Sequence, residues 1–180
     1  QKNQNIKILL TFFSPSGYEL RKNYKLVNQV CYLPLDTQKN VKKFIHKIKP
    51  KKVFFVKYEF WFNYIAELKK QNIKTYFIST VFRKEQYFFK WYGSFFRKSL
   101  KGITHFFVQN KNSQQLLKKI KITETTISGD SRFDQVINNK KRAKNIPLIK
   151  KFKGKSPLII CGSTWKKDHK IILSITEYFP

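Results

Sequence analysis

The chain has 180 residues, 38 of them Lys or Arg against 10 Asp or Glu, for a formal net charge of +28. That length holds one sizeable core and a little more. No run of about 18 apolar residues occurs, which excludes a membrane-spanning helix. The polar residues 1–5, followed by a short strand-like apolar run, give no sign of a secretory signal. The absence of any Met leads us to expect a piece of a longer protein.

In chain order, short apolar runs alternate with amphipathic segments. Residues 6–11 read as a buried strand, followed by the loop Ser14-Pro15-Ser16-Gly17 and a short helix over 18–24. Residues 29–33 read as a strand. Asp36 or Thr37 then caps a helix to about Lys49, with Val41, Phe44, Ile45 and Ile48 on one face and Pro50 beyond its end. A strand at 53–56, a helix at 62–71 and a strand at 75–79 follow. A long aromatic helix is expected over 85–100. After it come a strand at 104–108, a helix at 112–119, a strand at 124–128 and a helix at 132–144. A polar linker over 145–157, with Pro147, Gly154 and Pro157, leads to a strand at 158–161 and a last helix. Strands of about five apolar residues alternating with helices predict an α/β fold with a parallel sheet and right-handed crossovers. The linker separates a domain over 1–144 from a first βα unit of another over 158–180.

The two cysteines, Cys31 and Cys161, lie in apolar strand patterns without metal-ligand spacing, and both are expected to be buried free thiols. The positive charge is nearly all lysine; arginine occurs only at 21, 83, 97, 132 and 142. Abundant Lys, Phe, Ile and Asn share AT-rich codons, so genome composition accounts for such a bias. Attraction to anionic lipid is the physical alternative. Base reading in nucleic acid relies on guanidinium forks, which are scarce here.

In parallel α/β sheets ligands bind beyond the carboxyl ends of the strands. The residues standing there are Ser14, Ser16 and Gly17; Lys57-Tyr58-Glu59-Phe60-Trp61; Ser79 and Arg83; Gly129-Asp130-Ser131-Arg132-Phe133-Asp134; and Gly162-Ser163-Thr164. Among so few acids, Glu59, Asp130, Asp134 and Asp168 all fall at or near these ends. Asp130 also suits a turn or helix cap, and Asp134 a lysine partner. Glu59, set among aromatics, needs a partner or a raised pKa. Arg132 suits a carboxylate or phosphate. Gly162-Ser163-Thr164 ahead of a helix suits an anion, or an ordinary turn and cap. His46, His105 and His169 form neither a triad nor a metal site, and no phosphate-loop or dinucleotide fingerprint occurs. The aromatic segment carries Tyr87, Phe88, Phe89, Trp91, Tyr92, Phe95 and Phe96 among Lys84, Lys90, Arg97 and Lys98. That mixture fits either a helix at an anionic lipid surface or one buried between domains.

These motifs, in this order, resemble the transferases of 3-deoxy-D-manno-octulosonic acid (Kdo), of a Bacteroidetes-like branch. The matching segments are Thr11-Phe12-Phe13-Ser14-Pro15-Ser16-Gly17-Tyr18-Glu19, Tyr32-Leu33-Pro34-Leu35-Asp36, Val56-Lys57-Tyr58-Glu59-Phe60-Trp61, Phe107-Val108-Gln109, Gly129 to Asp134, and Gly162-Ser163-Thr164-Trp165. The resemblance implies the GT-B architecture: a Rossmann-like N-terminal domain here, plus the start of the second, nucleotide-sugar domain. It implies inverting, metal-independent transfer of Kdo from CMP-Kdo to a lipid A precursor, with no cofactor, at the cytoplasmic face of the bacterial inner membrane. Under it, Glu59 and Arg132 stabilise the transition state, and the general base is a Glu upstream of this chain. Ser14, Ser16, Gly17, Arg83, Asp130, Gly162, Ser163 and Thr164 are the expected substrate contacts. The expected partners are donor, acceptor and the anionic membrane surface, and not nucleic acid. The sequence departs from the family at Phe62, where Pro is usual, and in Lys166-Lys167-Asp168-His169, where acids are common. The competing readings are a basic nucleic-acid-binding domain and a GT-B transferase with another donor.

Overall fold

A computed structural model describes residues 6–142 and 145–176. The chain divides into two compact units, 1–134 and 135–180. In the first, β1 (Leu9–Phe12) and β2 (Gln29–Tyr32) form a parallel pair around the short helix α1 (Pro15–Arg21). After α2 (Gln38–Ile48) come β3 (Lys52–Val56), α3 (Phe62–Lys70), β4 (Lys74–Thr80), a single 3₁₀ turn at Tyr87–Phe89 and α4 (Ser94–Leu100). Then follow β5 (His105–Val108), α5 (Lys111–Lys119) and β6 (Thr125–Ile127). Strands β3 to β6 make a four-stranded sheet in sequence order, parallel throughout. The class is α/β, and the first unit is a Rossmann-like parallel-sheet domain.

Period-two alternation sends one side of each strand into the core. Phe55, Phe77 and Phe106 are cross-strand partners, with ring centroids 5.0 and 5.5 Å apart. Leu68 of α3, Leu100 of α4 and Leu117 of α5 are buried with them in one cluster. Phe60, just after β3, lies 5.0 Å from the Phe77 ring and 4.9 Å from that of Phe88. Each such side chain contributes about 1.5–3 kcal/mol by burial, so the ring ladder anchors the loop that follows β3. On the opposite face Phe54 stacks on Tyr76 at 5.1 Å and stays half open to water.

Helix α2 forms where its pattern predicts. Thr37 Oγ1 accepts from the Asn40 N–H, and Lys49 closes the helix in the left-handed conformation. Val41 and Ile45 are buried and Phe44 packs on the core, while Ile48 in the last turn is partly exposed. Helix α3 starts at Phe62 despite the missing Pro.

The continuous aromatic helix expected over 85–100 does not form. The 3₁₀ turn ends at Lys90, whose backbone is extended, and α4 starts only after Gly93. A Cβ on Gly93 would stand 1.9 Å from the Tyr87 carbonyl oxygen, so the chain folds back where only glycine fits. The Arg97 guanidinium donates to the carbonyl of Phe88 at 3.1 Å and to that of Lys90 at 2.8 Å, which also accepts from the Gly93 N–H. The break separates the aromatics. Phe88 is buried and Phe96 packs against Phe62, whereas Tyr87, Trp91, Tyr92 and Phe95 face solvent.

Helix α6 (Ser131–Lys141) carries the chain out of the first unit; the expected continuation at 143–144 lies outside the described residues. In the second unit, α7 (Pro147–Lys153) occupies part of the stretch read as linker, with Pro147 in its first turn. The strand expected at 158–161 is irregular chain. It has no ladder partner among the described residues, and without one an apolar run gains nothing from the extended form. Its residues Ile159 and Ile160 are exposed, as is Cys161, contrary to its expected burial. Cys31 is half-buried, and burial pushes its thiol pKa up. The last helix, α8 (Lys166–Thr176), forms as expected.

Candidate functional site

The carboxyl edge of the four-stranded sheet is built by two unusual strand ends. Directly after β3, Lys57 takes the left-handed conformation (φ 62) while its N–H donates to the Ile78 carbonyl at 2.9 Å. Near the end of β4, the register shifts between Ile78 and Thr80, and Ser79 is also left-handed (φ 54). Such conformations cost a non-glycine residue about 1–3 kcal/mol and concentrate at functional sites. At Lys57 the chain leaves β3, and at Ser79 β4 shifts register before Thr80 pairs with Val108.

The β3 loop continues through Tyr58 to Glu59. The Trp61 indole N–H donates to Glu59 Oε2 at 2.5 Å, which supplies the partner that the carboxylate requires. Trp61 packs on Phe13, ring centroids 4.7 Å apart, and so ties the end of β1 to the end of β3.

The turn after β6 reaches back across β5. Gln109, the first residue beyond β5, donates from Nε2 to the carbonyl and the hydroxyl of Ser79 at 3.0 and 3.1 Å. Ser131 Oγ donates to the same hydroxyl at 3.4 Å. Within this turn, Asp130 Oδ1 accepts from the Arg132 N–H at 3.0 Å and Oδ2 from Arg132 Nε at 2.7 Å; Nη2 completes the ion pair. The Arg132 hydrogen bonds, helped by the charge of Lys57, hold the Asp130 carboxyl below its usual range. Asp130 in turn raises the Arg132 guanidinium, with a small contribution from Tyr58. The β3 loop and the β6 turn therefore share one electrostatic field.

Of the residues expected at the site, the structure gathers Glu59, Asp130 and Arg132 around this edge. Lys57, Ser79 and Ser131, which also stand at strand ends in the sequence, lie at the same edge, and Gln109, the first residue past β5, joins them. Asp130 is a holder of Arg132, with both carboxylate oxygens committed to it. Ser14 caps α1: its Oγ accepts from Gly17 N–H at 3.4 Å and lies 3.3 Å from Ser16 Oγ. Gly17 sits so close to the Phe12 ring that a Cβ would meet it at 2.7 Å. These residues adjoin the site through Phe13. Arg83 stands apart; its N–H bonds Gln86 Oε1, and no described residue bonds its guanidinium. Asp134 lies in the first turn of α6, where an acid favours the helix dipole.

Gly162, Ser163 and Thr164 belong to the second unit. Ser163 is left-handed (φ 58), and Thr164 Oγ1 is 3.1 Å from His169 Nε2. Asp168 Oδ2 accepts from the Trp165 N–H at 2.8 Å, a helix-capping role for the one acid kept in that segment. Among the described residues no cluster of His, Cys, Asp and Glu could hold a metal ion.

A family model described as 3-deoxy-D-manno-octulosonic-acid transferase (kdotransferase) matches residues 1–135. A bifunctional glycosyltransferase/methyltransferase of Fusobacterium nucleatum subsp. nucleatum is 24% identical over 179 residues, 93% of this chain. The chain spans only 27% of that relative's length. The family match contains the whole carboxyl edge, from Phe13 through Glu59 and Ser79 to Arg132. On that match, the chain belongs to the 3-deoxy-D-manno-octulosonic-acid transferase family.

Proposed function

We propose that the chain supplies the acceptor-side domain of an inverting, metal-independent glycosyltransferase that moves Kdo from CMP-Kdo to a lipid A precursor. The observation that carries this reading is the carboxyl edge of one parallel sheet, where a carboxylate held by Trp61 stands beyond β3 and a guanidinium held by Asp130 stands in the β6 turn, which Ser131 bonds to Ser79 of β4. Departure of CMP leaves positive charge on the sugar ring and places negative charge on the phosphate. Fixed groups of opposite sign at those places stabilise the transition state. Glu59 serves the ring and Arg132 the phosphate or the sugar's carboxylate. A separate base, upstream of this chain, takes the acceptor's hydroxyl proton. Gly162, Ser163 and Thr164 serve the nucleotide side.

The same reading includes peripheral attachment at the cytoplasmic face of the inner membrane. Tyr87, Trp91, Tyr92 and Phe95 are exposed on one short segment, with Lys84, Lys90 and Lys98 among them. This pairing of aromatic and basic groups suits an anionic lipid surface. Arg97 is not part of it, because its guanidinium is spent on the backbone.

The test supplies CMP-Kdo and lipid A precursor to the full-length protein. Glu59→Gln and Arg132→Ala should each slow transfer by about 100- to 1,000-fold, the range for removing one charge-stabilising group. Near-wild-type turnover in both variants would sink the assignment.

A further inference from the structure

We infer that Asp36, on the loop after β2, is a positioning residue that sets Glu59 through the first turn of α3; its catalytic part rests on the role proposed for Glu59. Helix α3 begins at Phe62 with Trp61 as its N-cap, and Trp61 makes no side-chain capping bond. The open N–H groups of its first turn need an acceptor. Asp36 supplies it from 27 and 28 residues away: Oδ2 accepts from Asn63 N–H at 3.3 Å and Oδ1 from Tyr64 N–H at 3.1 Å. Asn63 Nδ2 donates back to the Asp36 carbonyl at 2.5 Å, and the Tyr64 hydroxyl donates to the Pro34 carbonyl at 3.1 Å. Tyr64 is buried, and burial followed by the Asp36 charge pushes its phenol pKa up, which keeps it a donor.

The pinned turn begins immediately after Trp61, whose indole holds the Glu59 carboxylate. Ring packing of Trp61 on Phe13 fixes the other side of that indole. A shift of the α3 start therefore moves the donor that orients Glu59. The neighbouring Thr37 caps α2, so the two consecutive residues serve different helices, and only the bond from Asp36 reaches the site.

The test uses the full-length protein with ¹⁵N-labelled tryptophan. Asp36→Ala should move the Trp61 indole signal toward its position in Glu59→Gln, while the signals of Trp91 and Trp165 stay. With CMP-Kdo and lipid A precursor, kcat should fall about tenfold or more with KM nearly unchanged, as expected for a misplaced group that acts only in the transition state. Asp36→Asn, which keeps one acceptor oxygen, should recover most of that loss. If Asp36→Ala does not fold, Asn63→Ala removes the reciprocal bond and should move the same indole signal. An unmoved Trp61 signal in the folded variant, or a KM that rises while kcat holds, overturns the inference. If the wild-type protein turns over no CMP-Kdo, the proposed function fails, while the indole signal still decides whether Asp36 positions Glu59.

Discussion

The indole N–H of Trp61 and the Oε2 of Glu59 lie 2.5 Å apart across two residues of chain, and the Trp61 ring rests on Phe13 at 4.7 Å. One aromatic side chain thus both orients the carboxylate and joins the ends of β1 and β3. Trp61→Phe separates these roles, since it keeps a ring against Phe13 and removes the donor. A hydrogen bond to a charged group contributes about 1.5–3 kcal/mol. Glu59 is exposed, which places the effect at the lower end, so transfer should slow by about tenfold. Initial rates on saturating substrate check this, and an unchanged rate would show that the bond does not matter to catalysis.

The Asp130–Arg132 pair makes a prediction about pH. The folded pKa of Asp130 is depressed from 3.8, chiefly by its hydrogen bonds to Arg132. Its stabilising contribution is therefore complete well above 3.8 and is lost as pH falls through the lower folded value. Thermal midpoints of wild type and Asp130→Asn should differ by a constant amount at neutral pH. They should converge on acidification below 3.8. A difference that widens on acidification would contradict the linkage.

Much of this architecture was readable from the residues because local signals agree with the tertiary result. The strand at 52–56 and the helix at 38–48 are each set by apolar period and end residues, which act over short distances. Glu59 stood out because a carboxylate among Tyr58, Phe60 and Trp61 demands a partner. What was not readable depends on contacts between distant segments. Asp36 had the pattern of a cap for α2, yet its acceptors serve α3. The aromatic stretch kept a helical composition, and only the close approach of Gly93 to Tyr87 and the reach of Arg97 break it. The run at 158–161 had strand residues without a neighbouring strand to pair with among those described.

The ring ladder makes a stability prediction. Phe77 is fully buried, and its ring meets those of Phe55, Phe60 and Phe106 within 5.5 Å. Phe77→Ala should cost about 3–5 kcal/mol, the range for deleting a buried aromatic in a packed core. Phe54→Ala, on the open face of the neighbouring strand, should cost far less because that ring is already 56% exposed. Urea unfolding of both variants checks the contrast, and equal losses would mean that the opposite face is as important as the packed one.

Membrane attachment is open to a direct measurement. Trp91 is 91% exposed and Phe95 65%, with Lys90 and Lys98 adjacent in sequence to this apolar surface. Each lysine near an anionic bilayer contributes about 1 kcal/mol. The double variant Lys90→Gln with Lys98→Gln should therefore weaken binding to phosphatidylglycerol vesicles by about 30-fold. Raising the salt should weaken the wild type in the same direction, because screening acts on the same charges. Trp91→Ser should weaken binding to anionic and neutral vesicles alike, since it removes interfacial contact and leaves the charge. Arg97→Glu is unsuited to this test: the substitution deletes the bonds to Phe88 and Lys90, so it should lower the thermal midpoint before it alters docking. Binding that survives both the lysine pair and Trp91→Ser would assign attachment to another part of the protein.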